Sequence, residues 1–334
     1  MTGNKTWKTT IWFAAAFAAL LMSIFWAISS GAKELSLATV WSAVFHYDPA
    51  LTAHQIMHEY RIPRVLGAVI TGMAFAVAGA LMQGVTRNPM ADAGILGVNA
   101  GAAFVVALCF AFLPGLTYTQ LMLMSFMGAA LSTLLIVLLG SATQGGLHSI
   151  RLTIAGAVVA AILHSFSSGI AIYYDLSQDL AFWYAGGVAG VKWEHLKVLA
   201  PLVFLVIAWA TTMGRSISFL SLGDETAASL GIHTGTIKVL GMAAAVILAG
   251  ASVSAAGSIG FVGLVVPHIA RRFMGVDYRK IIPFSALLGA ILLVWADFAS
   301  RMVNPPREFA IGAMVALVGV PFFLYLARKE RREL

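Results

Sequence analysis

Ten apolar stretches punctuate this chain, and nothing else in it restricts the fold as strongly. Nine run near 11–30, 62–84, 94–113, 119–140, 152–174, 196–213, 236–256, 281–299 and 308–327, and a shorter one lies at 257–270. A hydrocarbon layer about 30 Å thick is crossed by about 20 helical residues. Helices satisfy their own backbone hydrogen bonds in lipid. The pattern therefore predicts an all-α membrane protein, a polytopic bundle of about ten transmembrane helices forming a single domain over residues 1–334. Runs of this length exclude a transmembrane barrel, whose strands alternate in short segments. With 60% of residues hydrophobic and 10% charged, a soluble fold is excluded as well.

The 32 glycines belong to the same argument. Small residues let helix backbones approach closely in lipid, so Gly67, Gly72, Gly79, Gly97 and Gly101 read as packing faces. The net charge of +7 does not point to nucleic acid. If the first helix runs outward, 14 of the Lys and Arg residues fall inside and 7 outside, as expected where cytoplasmic loops collect positive charge. Both termini are then cytoplasmic, and the tail 328–332, with Arg328, Lys329, Arg331 and Arg332, is a cytoplasmic stop. Lys33 falls outside. Lys5 and Lys8 precede a first apolar run too long for a cleaved leader, which reads as an uncleaved span. Cys109 is the one cysteine, so an intrachain disulfide and a cysteine-based metal site are excluded.

The polar interruptions carry the remaining signals. Segment 31–60 holds Trp41, His46, Asp48, His54 and His58. His54 and His58 stand at i, i+4 without further ligands, which favours a surface loop or short helix over a metal site. Arg61 and Arg64 flank Ile62-Pro63 at the outer mouth of a span. Either they wait for an acidic external partner or they snorkel to headgroups. Asn88-Pro89 imposes a turn. Trp183, Tyr184 and Trp193 suit an interfacial belt. Segment 215–235 is polar and cytoplasmic, with Ser221 placed to cap a short helix, Asp224 and Glu225 in its first turn and Gly231 at its end. Regular capping and periodicity favour a docking element over a plain connecting loop. Pro267 and His268 interrupt the short stretch, where a lone histidine is most simply a structural group.

Three long motifs, RIPRVLGAVITGMAFAVAGALMQGVTRNPMADAGILGVNAGAAF (61–104), FLSLGDETAASLGI (219–232) and GFVGLVVPHIARR (260–272), resemble the permease subunits of binding-protein-dependent ABC importers for iron-siderophores, haem and vitamin B12. The similarity extends over nearly the whole chain in matching order. It implies ten helices per subunit, a second permease subunit (identical or paralogous), two cytoplasmic ATPase subunits and an external substrate-binding protein, in the cytoplasmic membrane. It implies further that Arg61, Arg64 and Arg301 meet glutamates of the binding protein. It assigns Ser221, Leu222, Gly223, Asp224, Glu225, Ala228, Leu230 and Gly231 to coupling with the ATPase. The family's architecture suggests Ser165, Ser167 and Ser168 for the translocation pathway. Ala93, Ser258 and Ala310 stand where the family often has proline.

No G-x-x-x-x-G-K-[ST] sequence is present, so the chain does not cradle nucleotide phosphates. No acid-base or nucleophile constellation, metal site or cofactor site emerges either. The expected function is ATP-powered import of a ferric siderophore, with cobalamin or haem as alternative cargo. An ion-coupled secondary transporter would place ionisable groups mid-membrane; Asp297 is the main candidate, and pairing with Arg301 accounts for it. An intramembrane enzyme would have to be built on His164 and Ser165, Ser167 and Ser168, which read more simply as interhelical glue.

Overall fold

The computed structural model describes residues 3–30, 36–141, 149–305 and 307–330; Lys33, Arg331 and Arg332 lie outside the described residues. Among the described residues fourteen α-helices follow one another: α1 (Gly3–Ser29), α2 (Leu37–Phe45), α3 (Thr52–Ile56), α4 (Ile62–Thr86), α5 (Val98–Phe112), α6 (Tyr118–Ser141), α7 (Ser149–Tyr173), α8 (Ser177–Ala185), α9 (Trp193–Leu220), α10 (Asp224–Ser229), α11 (Thr234–Ala256), α12 (Val262–Met274), α13 (Tyr278–Met302) and α14 (Ile311–Glu330). Among the described residues the sole β feature is an isolated bridge between Asn304 and Arg307. Seven helical segments among the described residues are long and apolar enough to cross a membrane, and the apolar runs Val98–Phe112 and Ile311–Tyr325 are shorter. The all-helical, multi-pass architecture expected from the apolar pattern is therefore present.

Local chemistry explains where the helices deviate from the apolar stretches. The stretch beginning at 94 yields a helix only from Val98. Asp92 caps a 3-10 turn, Ala93–Leu96, by accepting the Gly94 amide (3.4 Å), and Gly97 then takes φ +69. A left-handed residue ends one helical run and redirects the next. Before α4, the Ile62 amide reaches back five residues to the Met57 carbonyl, closing a wide π turn over Met57–Arg61. Pro63 cannot donate at the next step, and its fixed φ suits the first turn of α4.

The core is organised around α4, which is almost wholly buried. Helices α9, α11, α12 and α13 pack around it. Backbone proximity makes this possible. A Cβ on Gly72 would collide with the Gly289 carbonyl on α13, and one on Gly79 with the backbone of Gly263 on α12. Gly101 meets Gly128 on α6 in the same way, and Gly67 lies against Val191. These are the packing faces expected from the glycine spacing.

One buried side chain repairs a backbone defect. Pro267 sits inside α12 and has no N–H for the carbonyl four residues earlier, that of Gly263. Gln83 on α4 supplies the donor: its Nε2 reaches the Gly263 oxygen at 3.0 Å and the Leu264 oxygen at 3.3 Å. Its Oε1 accepts from Arg271 Nη1 at 2.6 Å.

Candidate functional site

The two ends of α4 carry the charged arrangements that the sequence singled out. At its N-terminal end stand Arg61 and Arg64. The C-terminal end of α13 brings Asp297 and Arg301 beside them, and the connection to α14 adds Glu308. Arg64 Nε donates to Asp297 Oδ1 at 2.8 Å, while its Nη1 and Nη2 donate to the two carboxylate oxygens of Glu308 at 2.7 and 2.9 Å. Arg301 Nη2 pairs with Asp297 Oδ2 at 3.1 Å. The Asp297 side chain is 1% exposed and that of Arg64 14%, whereas that of Glu308 is 47% exposed. The Arg64 hydrogen bonds hold the Glu308 carboxyl below the usual carboxylate range, although partial burial pushes it the other way.

Arg61 and Arg301 have a further task that sequence reading missed. The last carbonyls of a helix lack intrahelical partners. At the end of α1, Arg61 Nη1 donates to the Ile28 and Ser29 oxygens (3.1 and 3.2 Å), and Arg301 donates to the Ala27 and Ser30 oxygens (both 3.2 Å). Two guanidinium groups thus close the negative end of α1, where cations are favoured. Glu308 was also missed. It is separated from Arg64 by 244 residues, and no periodicity links the two.

At the other end of α4, Arg87 takes φ +54 and reaches the segment around α10. Arg87 Nη2 and Lys238 Nζ, the latter on α11, both donate to Asp224 Oδ2, at 3.1 and 2.8 Å. Asp224 and Glu225 occupy the first turn of α10 as expected, but Ser221 does not cap it. The N-cap is Gly223, at φ +126, and Ser221 instead ends α9, its hydroxyl donating to the Ser218 carbonyl at 2.7 Å. The helix α9 runs further than the apolar pattern suggested, so the serine falls two residues before the cap position. Gly231, at φ +81, terminates α10: its amide donates to the Ala228 carbonyl and that of Ile232 to the Ala227 carbonyl, a paired closure that needs a left-handed residue. Around this braced turn Leu222 is 61% and Leu230 56% exposed, with Glu225 and Ala228 also exposed.

Comparison with known proteins gives this geometry a setting. The sequence profile of the FecCD transport family matches residues 19–329. The chain belongs to that family. The iron(3+)-hydroxamate import system permease protein FhuB of Bacillus subtilis is 48% identical over 331 residues, covering 99% of this chain and 86% of that protein. The iron-uptake system permease protein FeuB of the same organism is 41% identical (99% and 98%). The ferric enterobactin transport system permease protein FepD of Escherichia coli is 36% identical (90% of each). A chain solved in an inward-facing conformation, and assigned to the metal-chelate type of ABC transporter, superposes with a TM-score of 0.83 at 26% identity, covering 96% of this chain and 99% of that one.

In this FecCD permease the three α7 serines differ in their surroundings. Ser165 is exposed, Ser168 half-buried and Ser167 fully buried. The hydroxyls of Ser165 and Ser167 donate to carbonyls one turn earlier, those of Ala161 and Leu163. His164 Nδ1 lies 3.2 Å from the Tyr184 hydroxyl. Most of α7 is exposed along Ile154, Val158, Ile162 and Phe166. In the segment before α4, His54 has a structural role. His54 is buried, its Nδ1 accepts the Asp48 amide at 3.0 Å, and its Nε2 lies 3.0 Å from Ser42 Oγ. A neutral ring with the proton on Nε2 satisfies both contacts. The His58 carbonyl accepts the Trp193 indole N–H at 2.7 Å, so Trp193 ties α9 to this segment. No cluster of three or more potential metal-ligating side chains occurs among the described residues.

Proposed function

We propose that this chain is a membrane-spanning permease subunit of a binding-protein-dependent ABC importer that moves a ferric siderophore complex into the cytoplasm. The observation that carries the reading is the placement of two different surfaces at opposite ends of one buried helix. With 25 residues, α4 is about 37 Å long at about 1.5 Å per residue, roughly a bilayer. One end carries the Arg61, Arg64 and Arg301 cluster, suited to an acidic protein partner. The other is braced through Arg87 to the segment with Leu222 and Leu230 exposed, suited to a partner that covers apolar side chains.

In this reading all ten of the longer helices lie in the cytoplasmic membrane, both termini face the cytoplasm, and residues 1–334 form one permease domain with the coupling segment at 215–235. The arginine cluster faces out and receives the loaded binding protein. The segment from Ser221 to Gly231 faces in and sits against an ATPase subunit. ATP hydrolysis belongs to that partner, since this sequence lacks a phosphate-binding loop. The relatives named for iron-hydroxamate and ferric enterobactin transport support a siderophore as cargo. Exposure of α7, with Ser165 on its open side, supports a second permease subunit and the pathway along that face. Asp297 is held between two arginines and so is not poised for the ion cycle of a secondary transporter.

Reconstituted with its ATPase and second permease in vesicles, the complex should hydrolyse ATP faster when loaded binding protein is added. Reversing Arg61 and Arg64 to Glu should abolish that stimulation while the protein still inserts. Uptake that follows an imposed ion gradient without any ATPase would overturn the assignment.

A further inference from the structure

We propose that Glu308 is an exchangeable internal carboxylate: it occupies the Arg64 fork until an acidic side chain of the docking partner takes its place. The inference rests on the docking role given above to the arginine cluster, and it adds a residue and a mechanism to that role.

The geometry separates fixed members of the cluster from a removable one. Arg61 and Arg301 are committed to the end of α1 through the Ile28, Ser29, Ala27 and Ser30 carbonyls. Asp297 is sealed between Arg64 and Arg301 at 1% exposure. Arg64 has two edges that bind carboxylates. Asp297 uses the Nε edge, and Glu308 occupies the Nη1–Nη2 edge with both oxygens. Paired, charge-assisted bonds of this kind are strong and geometrically selective. An incoming carboxylate must therefore compete with Glu308 for the position it already fills.

Glu308 is the group that can yield. Its side chain is half exposed, and its backbone neighbours are pinned: the Phe309 amide donates to the Ser300 carbonyl and the Arg307 amide to the Asn304 carbonyl, both at 2.9 Å. Rotation of its side chain alone vacates the fork. Charge is conserved at Arg64 when one carboxylate replaces another. Among these five side chains, three guanidinium groups face two carboxylates, a surplus of one positive charge. Displaced Glu308 stays nearby as a negative charge against an acidic partner, which shortens the life of the complex. The exchange thus keeps docking selective for carboxylates and reversible.

The test is titration of the complete transporter in nanodiscs with loaded binding protein, comparing wild type with Glu308→Gln. Removing the competitor should tighten binding about fivefold, the factor matching the upper range for a partly exposed ion pair. It should also make the association rate fall more steeply with added salt, because a larger positive surplus is exposed. Glu308→Ser should act in the same direction, and serves if the amide variant no longer unfolds in one cooperative step. Unchanged or weaker binding in a variant that still unfolds cooperatively overturns the exchange. Arg64→Gln separates the two readings. If it weakens docking while Glu308→Gln does not tighten it, only the exchange fails. If Arg64→Gln leaves docking intact, the docking role of Arg64 itself is lost.

Discussion

At the scale of single residues, the most consequential contacts substitute for bonds that a helix cannot make for itself. Gln83 replaces the amide that Pro267 lacks and also neutralises part of the donor capacity of Arg271. Replacing it with leucine leaves the Gly263 carbonyl and an arginine N–H unsatisfied in the interior. The expected cost is about 1–3 kcal/mol, read as a lower melting temperature in detergent. Restoring an amide with Pro267→Ala in the same chain should recover part of that loss, and a strictly additive double mutant would refute the repair role. Glu308 makes a pH-dependent contribution of definite sign. Its carboxyl is held below the ordinary carboxylate value, chiefly by hydrogen bonds from Arg64, with Arg301 adding to the same effect. Stabilisation from this contact is therefore complete above the ordinary glutamate value and disappears as pH falls through the lowered one. The difference in melting temperature between wild type and Glu308→Gln should shrink to zero on acidification; a difference that grows would contradict the contact.

At the scale of elements, the short helix α10 shows how a brief segment can be rigid. Asp224 is clamped by Arg87 and Lys238 from two other helices, and Gly231 closes the far end. Leu222 and Leu230 project from this braced turn. Converting both to Glu should prevent stable capture of the ATPase, since apolar anchors at an interface centre cost upwards of about 1 kcal/mol each when lost. Retained capture on an affinity column would remove the segment from the interface. Much of this element was legible in the sequence: acids in the first turn, glycine at the end, polar composition between apolar runs. The cap was not. Ser221 is a good capping residue by type, but α9 extends through Leu220, and the chain turns at Gly223, where φ +126 suits glycine. Helix boundaries behaved likewise elsewhere. The run from 62 became Ile62–Thr86 almost unchanged because its apolar pattern is uninterrupted, whereas the run from 94 was shortened by Asp92 and Gly97.

At the scale of the whole molecule, the apolar pattern foretold a bundle and the glycine spacing foretold where its helices touch. The pattern does not encode which distant residues meet. Arg61 and Arg64 could be read as waiting for a partner or as snorkelling, and the fold supplies a third use, fastening α1 and holding Asp297. Those contacts join positions 32 to 233 residues apart, beyond the reach of any local period. Because Arg64 precedes Asp297 by 233 residues, its counter-charges leave the ribosome long after it does. During synthesis this charged cluster is thus finished well after α4 itself. A nascent polypeptide halted ahead of α13 presents Arg64 without either of its carboxylates, and only a product that extends past Glu308 can display the completed cluster.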